Sequence, residues 1–241
     1  MQQYFINAPV PESLRLKDDA IHHHLRRVMR ARVNDELIVC QPDEKCFLMR
    51  IQTINDDHVV LERIHVINNA THPLSITLFQ GLIKRTAFEI SLQKAAELGV
   101  KRFVPLKSAR SIIKIDDNAV NKKTARYQTI AKEASEQSHR QDMMHVNVPA
   151  DLREIDLKAF DVVIVPYEAA SSQMRLSSAL SEIKSGMSIA VVIGPEGGFS
   201  SEEIEHLKTR GALVVSLGRR ILRSETAALF IMSAINYETE L

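Results

Sequence analysis

Three short apolar runs constrain the fold of this chain more than any other feature: DVVIVP at 161–166, SIAVVIG at 188–194 and ALVVSLG at 212–218. Each is continuous and β-branched, with no polar alternation, which is the pattern of a strand buried on both faces. They belong to an alternating series that starts at Leu74. LSITLFQGL reads as strand and TAFEISLQKAAELG as amphipathic helix, with Gly99 where a C-cap glycine belongs. RFVPL is a further strand, residues 118–139 a long helix, and SEEIEHLKTRG and ETAALFIMSAINYE two more helices. Strand alternating with helix predicts an α/β domain built on a mainly parallel sheet.

The first 70 residues follow a different pattern. A basic helical segment at roughly 19–30 precedes ELIVC, CFLMRIQTI and HVVLERIHVI, three β-rich runs separated by the turn signals QPDEK and NDD. They predict a small all-β unit, with NNATHP at 68–73 as the linker. The expected division is therefore 1–70 and 71–241.

No apolar run approaches the roughly 20 residues that cross a bilayer, and nothing resembles a signal peptide. The expectation is a cytoplasmic protein with no membrane partner. Cys40 and Cys46 flank the QPDEK turn. A disulfide there is one reading, and reduced, half-buried thiols are the one expected in a cytosolic protein. Two cysteines without a convergent histidine pair make no zinc site, and His22, His23 and His24 point about 100° apart on a helix, so no metal is expected.

A formal net charge of +1 hides clustering. Basic residues gather at 22–32, at 101–114, at 122–126 and at 219–223, whereas acidic residues concentrate in SSEEIE and ETEL. Solvated helix faces explain any one cluster. Four together favour a polyanion partner, because phosphate contacts need only local positive potential.

Between SIAVVI and SEEIEHL stands Gly194-Pro195-Glu196-Gly197-Gly198. Ser200 and Glu203 form an S-x-x-E capping box, which starts the next helix at about Ser201. Paired glycines allow positive φ and close approach of a ligand, and open α/β sheets bind ligands at such strand exits. Neither phosphate-binding glycine motif is present, and Glu196 would repel phosphate oxygens. A tight structural turn is the alternative. Two further exits, at Pro166-Tyr167-Glu168 and at Leu217-Gly218 followed by Ile221-Leu222-Arg223, would enclose one cleft with it. Backbone groups between aliphatic walls suit a flat purine joined to a neutral or zwitterionic moiety, as in S-adenosylmethionine.

IGPEGGFSSEEIE followed by SLGRRILRSETAAL resembles the C-terminal signature of the SPOUT methyltransferases. It is most similar to the bacterial small-subunit methyltransferase E family, which methylates N3 of a uridine in 16S ribosomal RNA. YFI, HHHLRRVMR, GLIKRTAFEISLQKAAELGV, ARSIIK and KEASEQSHR extend the likeness over almost the whole chain. The resemblance implies a PUA-like RNA-binding β-barrel ahead of a knotted α/β domain with a deep trefoil knot. It also implies S-adenosylmethionine as cofactor, the 30S subunit as substrate, and a homodimer to which the apolar last helix contributes.

Carried over by motif, the cofactor pocket comprises Pro166, Tyr167, Glu168, Gly194, Pro195, Glu196, Gly197, Leu217, Gly218, Ile221, Leu222 and Arg223. Methyl transfer to a uracil requires loss of the N3 proton, and a cation beside O2 or O4 would stabilise the anion. Arg223 is the candidate for that role. Glu225 either orients Arg223 or accepts a proton, or it is a first-turn carboxylate behind Ser224 as N-cap. Arg126, Ile130, Glu133, Gln137 and Arg140 share one helix face, which a row of ion pairs would also explain. The resemblance brings Glu133, Gln137, Ser138 and Arg140, with Arg110, to a flipped target nucleotide, and His23, Arg26 and Arg30 to RNA docking. Gln3 and Ala87 stand where the family often carries basic residues.

Four other readings remain. One is a SPOUT enzyme for transfer RNA or another ribosomal site; a second is a dehydrogenase- or kinase-type enzyme, which lacks its phosphate motifs here. The others are an RNA-binding protein without catalysis, and a serine hydrolase, which lacks G-x-S-x-G.

Overall fold

The computed structural model describes residues 1–17, 19–41, 45–67, 74–168 and 174–240. The expected linker at 68–73 and the tip of the QPDEK turn lie outside the described residues. The chain divides into two compact units, Met1–Thr71 with Ser135–Met143, and His72–Ala134 with Met144–Leu241.

The first unit is a five-stranded sheet in the order β1-β3-β4-β5-β2. The expected strands are β3 (Glu36–Cys40), β4 (Cys46–Ile54) and β5 (Val59–Ile67), paired antiparallel. The sheet is extended by β1 (Gln2–Phe5), parallel to β3, and by β2 (Ser13–Leu16), antiparallel to β5. Leu37, Val39, Met49, Ile51, Val59 and Leu61 fill its core together with Leu25.

Two expectations for this unit change. The basic segment is α-helical only over α1 (Asp19–His23), then widens into a π-helical turn over His24–Val28. Arg30 closes it in left-handed backbone, φ 52°, and the Ala31 N–H reaches the Leu25 carbonyl at 2.9 Å. The cysteines are neither free nor half-buried: Cys40 and Cys46 are fully buried and joined as a disulfide. The hairpin register sets them directly opposite, with Cα atoms 4.0 Å apart. Gln3 is also buried, and its side-chain amide donates to the Arg140 carbonyl.

The second unit holds an eight-stranded sheet, in which every strand pairing among the described residues is parallel. Its order is β11-β13-β10-β12-β6-β7-β8, with β9 also on β7. The strands are β6 (Ser75–Gly81), β7 (Arg102–Lys107), β8 (His145–Val146), β9 (Ala150–Asp151), β10 (Val162–Pro166), β11 (Met174–Arg175), β12 (Ser188–Ile193) and β13 (Leu213–Ser216). The helices are α2 (Arg85–Glu97), α3 (Val120–Gln137), α4 (Leu176–Leu180), α5 (Ser201–Thr209) and α6 (Ser224–Glu240), with α3 ending in the first unit.

The continuous apolar runs follow from this layering. Ile189, Val191 and Ile193 of β12 face a core shared with α2 and α6, whereas Ala190 and Val192 face a second core shared with α5. A strand sandwiched in this way has no polar side to show. Gly99 closes α2 with φ 78°, and the Val100 N–H bonds to the Ala95 carbonyl at 3.0 Å, as a C-cap glycine permits.

Candidate active site

Strand β10 lies between β12 and β13, so the three expected exits are neighbours on one edge of the sheet. A cavity of about 610 Å³ opens there, within the roughly 300–1,000 Å³ typical of small-molecule sites. The β10 exit contributes Pro166, Tyr167 and Glu168; the Gly-rich loop contributes Gly194, Pro195, Glu196 and Gly198; the third exit contributes Leu217, Gly218, Ile221, Leu222 and Arg223. Glu225 is also in the lining.

Gly197 alone among the expected cofactor residues is outside this lining. A Cβ there would lie 3.2 Å from Cβ of Arg110, whose guanidinium donates to the Gly197 carbonyl at 3.2 Å. Of the paired glycines 197 and 198, it is Gly198 that lines the cavity, with φ 64° and its missing Cβ 3.1 Å from Glu168 Oε1. Its N–H closes a tight turn on the Pro195 carbonyl at 2.9 Å.

The capping box forms as the sequence predicts. The Ser200 hydroxyl accepts the Glu203 N–H at 3.2 Å, and Glu203 Oε2 accepts the Ser200 N–H at 2.8 Å. Glu203 does more than cap: its buried Oε1 also accepts the Ala109 N–H at 2.7 Å, fastening the 108–111 turn beside the loop. Ser224 does not cap α6. The helix begins at this residue, and its hydroxyl donates to the Gly194 carbonyl at 2.5 Å.

Several lining residues were not expected. Lys84 and Ala87 come from the start of α2, and Ile112 and Ile113 from the turn after β7. Ile112 is 81 % exposed and Ile221 84 %, so two bare aliphatic side chains stand in the lining. Gly81, at the end of β6, is required by packing: a Cβ would fall on the Pro195 nitrogen and 2.6 Å from the Gly194 carbonyl carbon. Arg223 is exposed, and while its carbonyl accepts the Ala227 N–H at 2.8 Å, its side chain makes no hydrogen bond or ion pair among the described residues.

The expected RNA-facing residues fall in both units. In the second, Arg110 binds the Gly197 carbonyl and Glu133 is exposed on α3. In the first, His23, Arg30 and Gln137 are exposed, and Ser138 donates to the Ser135 carbonyl at 3.4 Å. Arg26 pairs with Asp56 at 3.0 Å. Arg140 is held by both carboxylate oxygens of Asp142, at 3.2 and 2.8 Å, and its side chain is 8 % exposed. Arg126 of the shared helix face pairs at 2.8 Å with Glu89 of α2.

A family profile described as an RNA methyltransferase domain matches residues 70–236. A ribosomal RNA small subunit methyltransferase E of Bacillus subtilis is 36 % identical over 251 aligned residues, covering 100 % of this chain and 98 % of the relative. The chain belongs to the ribosomal RNA small subunit methyltransferase E family. Its relative of the same description in Mesomycoplasma hyopneumoniae is 26 % identical, over 97 % of this chain and 98 % of the relative. A solved methyltransferase E of Neisseria gonorrhoeae, bound to S-adenosylmethionine, superposes with a TM-score of 0.85 at 26 % identity, covering 98 % of this chain and 97 % of that one. Among the described residues no cluster of three metal-ligating side chains occurs, and no helix is long and apolar enough to cross a membrane.

Proposed function

We propose that this protein transfers a methyl group from S-adenosylmethionine to N3 of a uridine in 16S ribosomal RNA, acting in the cytoplasm on the 30S subunit. The observation that carries the reading is the cavity where β10, β12 and β13 end side by side. Its chemistry fits the cofactor. Leu217, Ile221 and Leu222 give aliphatic walls for an adenine, while Glu168 and Glu196 offer carboxylates to a cationic ligand. The same carboxylates disfavour a polyphosphate, which argues against the dehydrogenase or kinase reading.

The bound cofactor supplies an electrophilic methyl on a sulfonium. The protein's part is orientation and electrostatics, since an in-line approach accounts for much of the rate of such a transfer. Arg223 lines the cavity without a partner, which suits a cation reserved for uracil oxygens as the N3 proton leaves. Glu225 stands two residues on, in the first turn of α6, placed either to orient Arg223 or to favour the helix start.

The first unit is proposed as a PUA-like RNA-binding barrel, with His23, Arg26 and Arg30 docking RNA. Gln137 and Ser138 of this unit are assigned to RNA contact; in the second unit, Arg110 and Glu133 are assigned to the target nucleotide. Arg140, spent on Asp142, is assigned to shaping the 135–143 turn. A trefoil knot in the second unit is supported by strand order: the chain passes from β12 across β10 to β13, then returns as α6 to the core shared with α2. A homodimer is supported by α6, where Phe230 and Tyr237 are exposed and Ala234 half-buried at helical spacing on one face.

The deciding experiment is methyl transfer from labelled S-adenosylmethionine to unmodified 30S subunits, free 16S RNA and transfer RNA, with mass spectrometry of nuclease digests. N3-methyluridine at one 16S position, with 30S preferred, is the expected result. Transfer to another RNA, or none despite cofactor binding, would overturn the substrate assignment.

A further inference from the structure

Beneath the Gly-rich loop three buried side chains form a hydrogen-bonded chain that ends on the loop itself. Ser91 Oγ of α2 lies 2.8 Å from Gln80 Oε1, Gln80 Nε2 lies 2.8 Å from Ser224 Oγ, and Ser224 Oγ lies 2.5 Å from the Gly194 carbonyl. Gln80 is 0 % exposed, and Ser91 and Ser224 are buried with it. No charged side chain hydrogen-bonds to these three among the described residues. Arg223 and Glu225 are the charged neighbours of Ser224 in the chain.

The direction of every bond is forced. A carbonyl only accepts, so the single proton of Ser224 goes to Gly194. The Ser224 oxygen then accepts from Gln80, which puts the amide nitrogen on that side. A second acceptor, the Gly81 carbonyl, lies 3.3 Å from the same nitrogen and would face the amide oxygen if the group were flipped. Ser91 donates at the remaining end.

We propose that Gln80 is a positioning residue for the methyl-transfer site, its amide setting the direction of the Ser224 proton and so holding the Gly194 carbonyl against the start of α6. The proposal rests on the cofactor reading above. Gly194 opens one wall of the cavity and Ser224 follows Arg223 in the other, so the relay fixes the two walls against each other. Gln80 acts through Ser224 and is not itself in the lining.

Glutamate is the informative replacement because it keeps the shape. A protonated carboxyl accepts from Ser91 and donates to Ser224, as the amide does. An ionised carboxylate only accepts, so the Ser224 proton turns toward it and the Gly194 carbonyl loses its donor. Burial raises a carboxyl pKa, which brings this change into the range of about pH 6 to about pH 9.

The test measures S-adenosylmethionine dissociation constants by calorimetry for the wild type, Gln80→Glu and Ser224→Ala across that range, with thermal melting of the cofactor-free proteins. The ratio of Gln80→Glu to wild type is expected near one at low pH and to rise roughly tenfold at high pH. Ser224→Ala should bind more weakly by a similar factor at every pH. A flat ratio in folded Gln80→Glu, or wild-type affinity in Ser224→Ala, overturns the proposal. If Gln80→Glu does not fold, Ser224→Ala decides alone. If the wild type binds no S-adenosylmethionine, the cofactor reading fails. The relay is then judged by whether the melting temperature of Gln80→Glu falls relative to wild type as pH rises; a constant difference overturns it.

Discussion

Glu196 Oε1 accepts the backbone N–H of Lys84 at 3.0 Å, so the carboxylate in the middle of the Gly-rich loop caps the start of α2. Lys84 has no side-chain cap of its own. The same carboxylate lines the cavity, and therefore one side chain both terminates a helix and faces the ligand space. Glu196→Ala is expected to lower stability by about 1 kcal/mol in urea denaturation. Glu196→Gln, whose amide oxygen can still accept, should lose less than half of that.

Arg223 has no partner to lose among the described residues, so its truncation should leave the fold intact. If it stabilises developing negative charge on the base, Arg223→Ala lowers kcat by roughly a hundredfold or more. Cofactor affinity, measured by calorimetry, should then change little. Equal losses in turnover and cofactor binding would remove it from the role.

Gly81 meets the Gly194–Pro195 backbone with no room for a methyl group. Backbone on both sides cannot yield as a flexible side chain would. Gly81→Ala is expected to cost about 1–3 kcal/mol of stability and to weaken cofactor binding together with it. Gly218→Ala makes a useful contrast. Its Cβ would meet nothing within 4 Å, so any cost there comes from its left-handed backbone, φ 111°.

Tyr4 donates to, or accepts from, His24 Nδ1 at 2.7 Å, and burial followed by the nearby Glu136 carboxylate pushes its phenol up to about 12. The folded state thus favours the neutral phenol. Its contribution to stability is complete below pH 10.0, the ordinary value, and is lost as pH rises toward about 12. The Tyr127 phenol is also raised by burial, so ultraviolet titration should show two late-ionising tyrosines, of which Tyr4→Phe removes one, and the alkaline loss of stability should be smaller in that variant.

The parallel strands were legible because burial on both faces leaves a continuous apolar run, and the α5 start because Ser200 and Glu203 are local in sequence. Three cavity walls followed from strand exits alone. What escaped depended on distant partners. Nothing near Gly81 in sequence reveals that Pro195 will lie against it, and Gln3 reads as a lost cation until its amide meets the Arg140 carbonyl. The Cys40–Cys46 bond required the β3–β4 register, which the turn signal located but did not align. Strands β1 and β2, of four residues each, are too short to show alternation.

The bond between Gln80 and Ser224 spans 144 positions of the chain. Contacts of that separation form late, because closing a long loop comes before any gain from the contact. The sheet can assemble its central strands from β6 to β13 while the Gly194 carbonyl still lacks its donor. Completion of the cavity therefore waits for α6, and a chain that ends before that helix would carry the strands of this enzyme without its site.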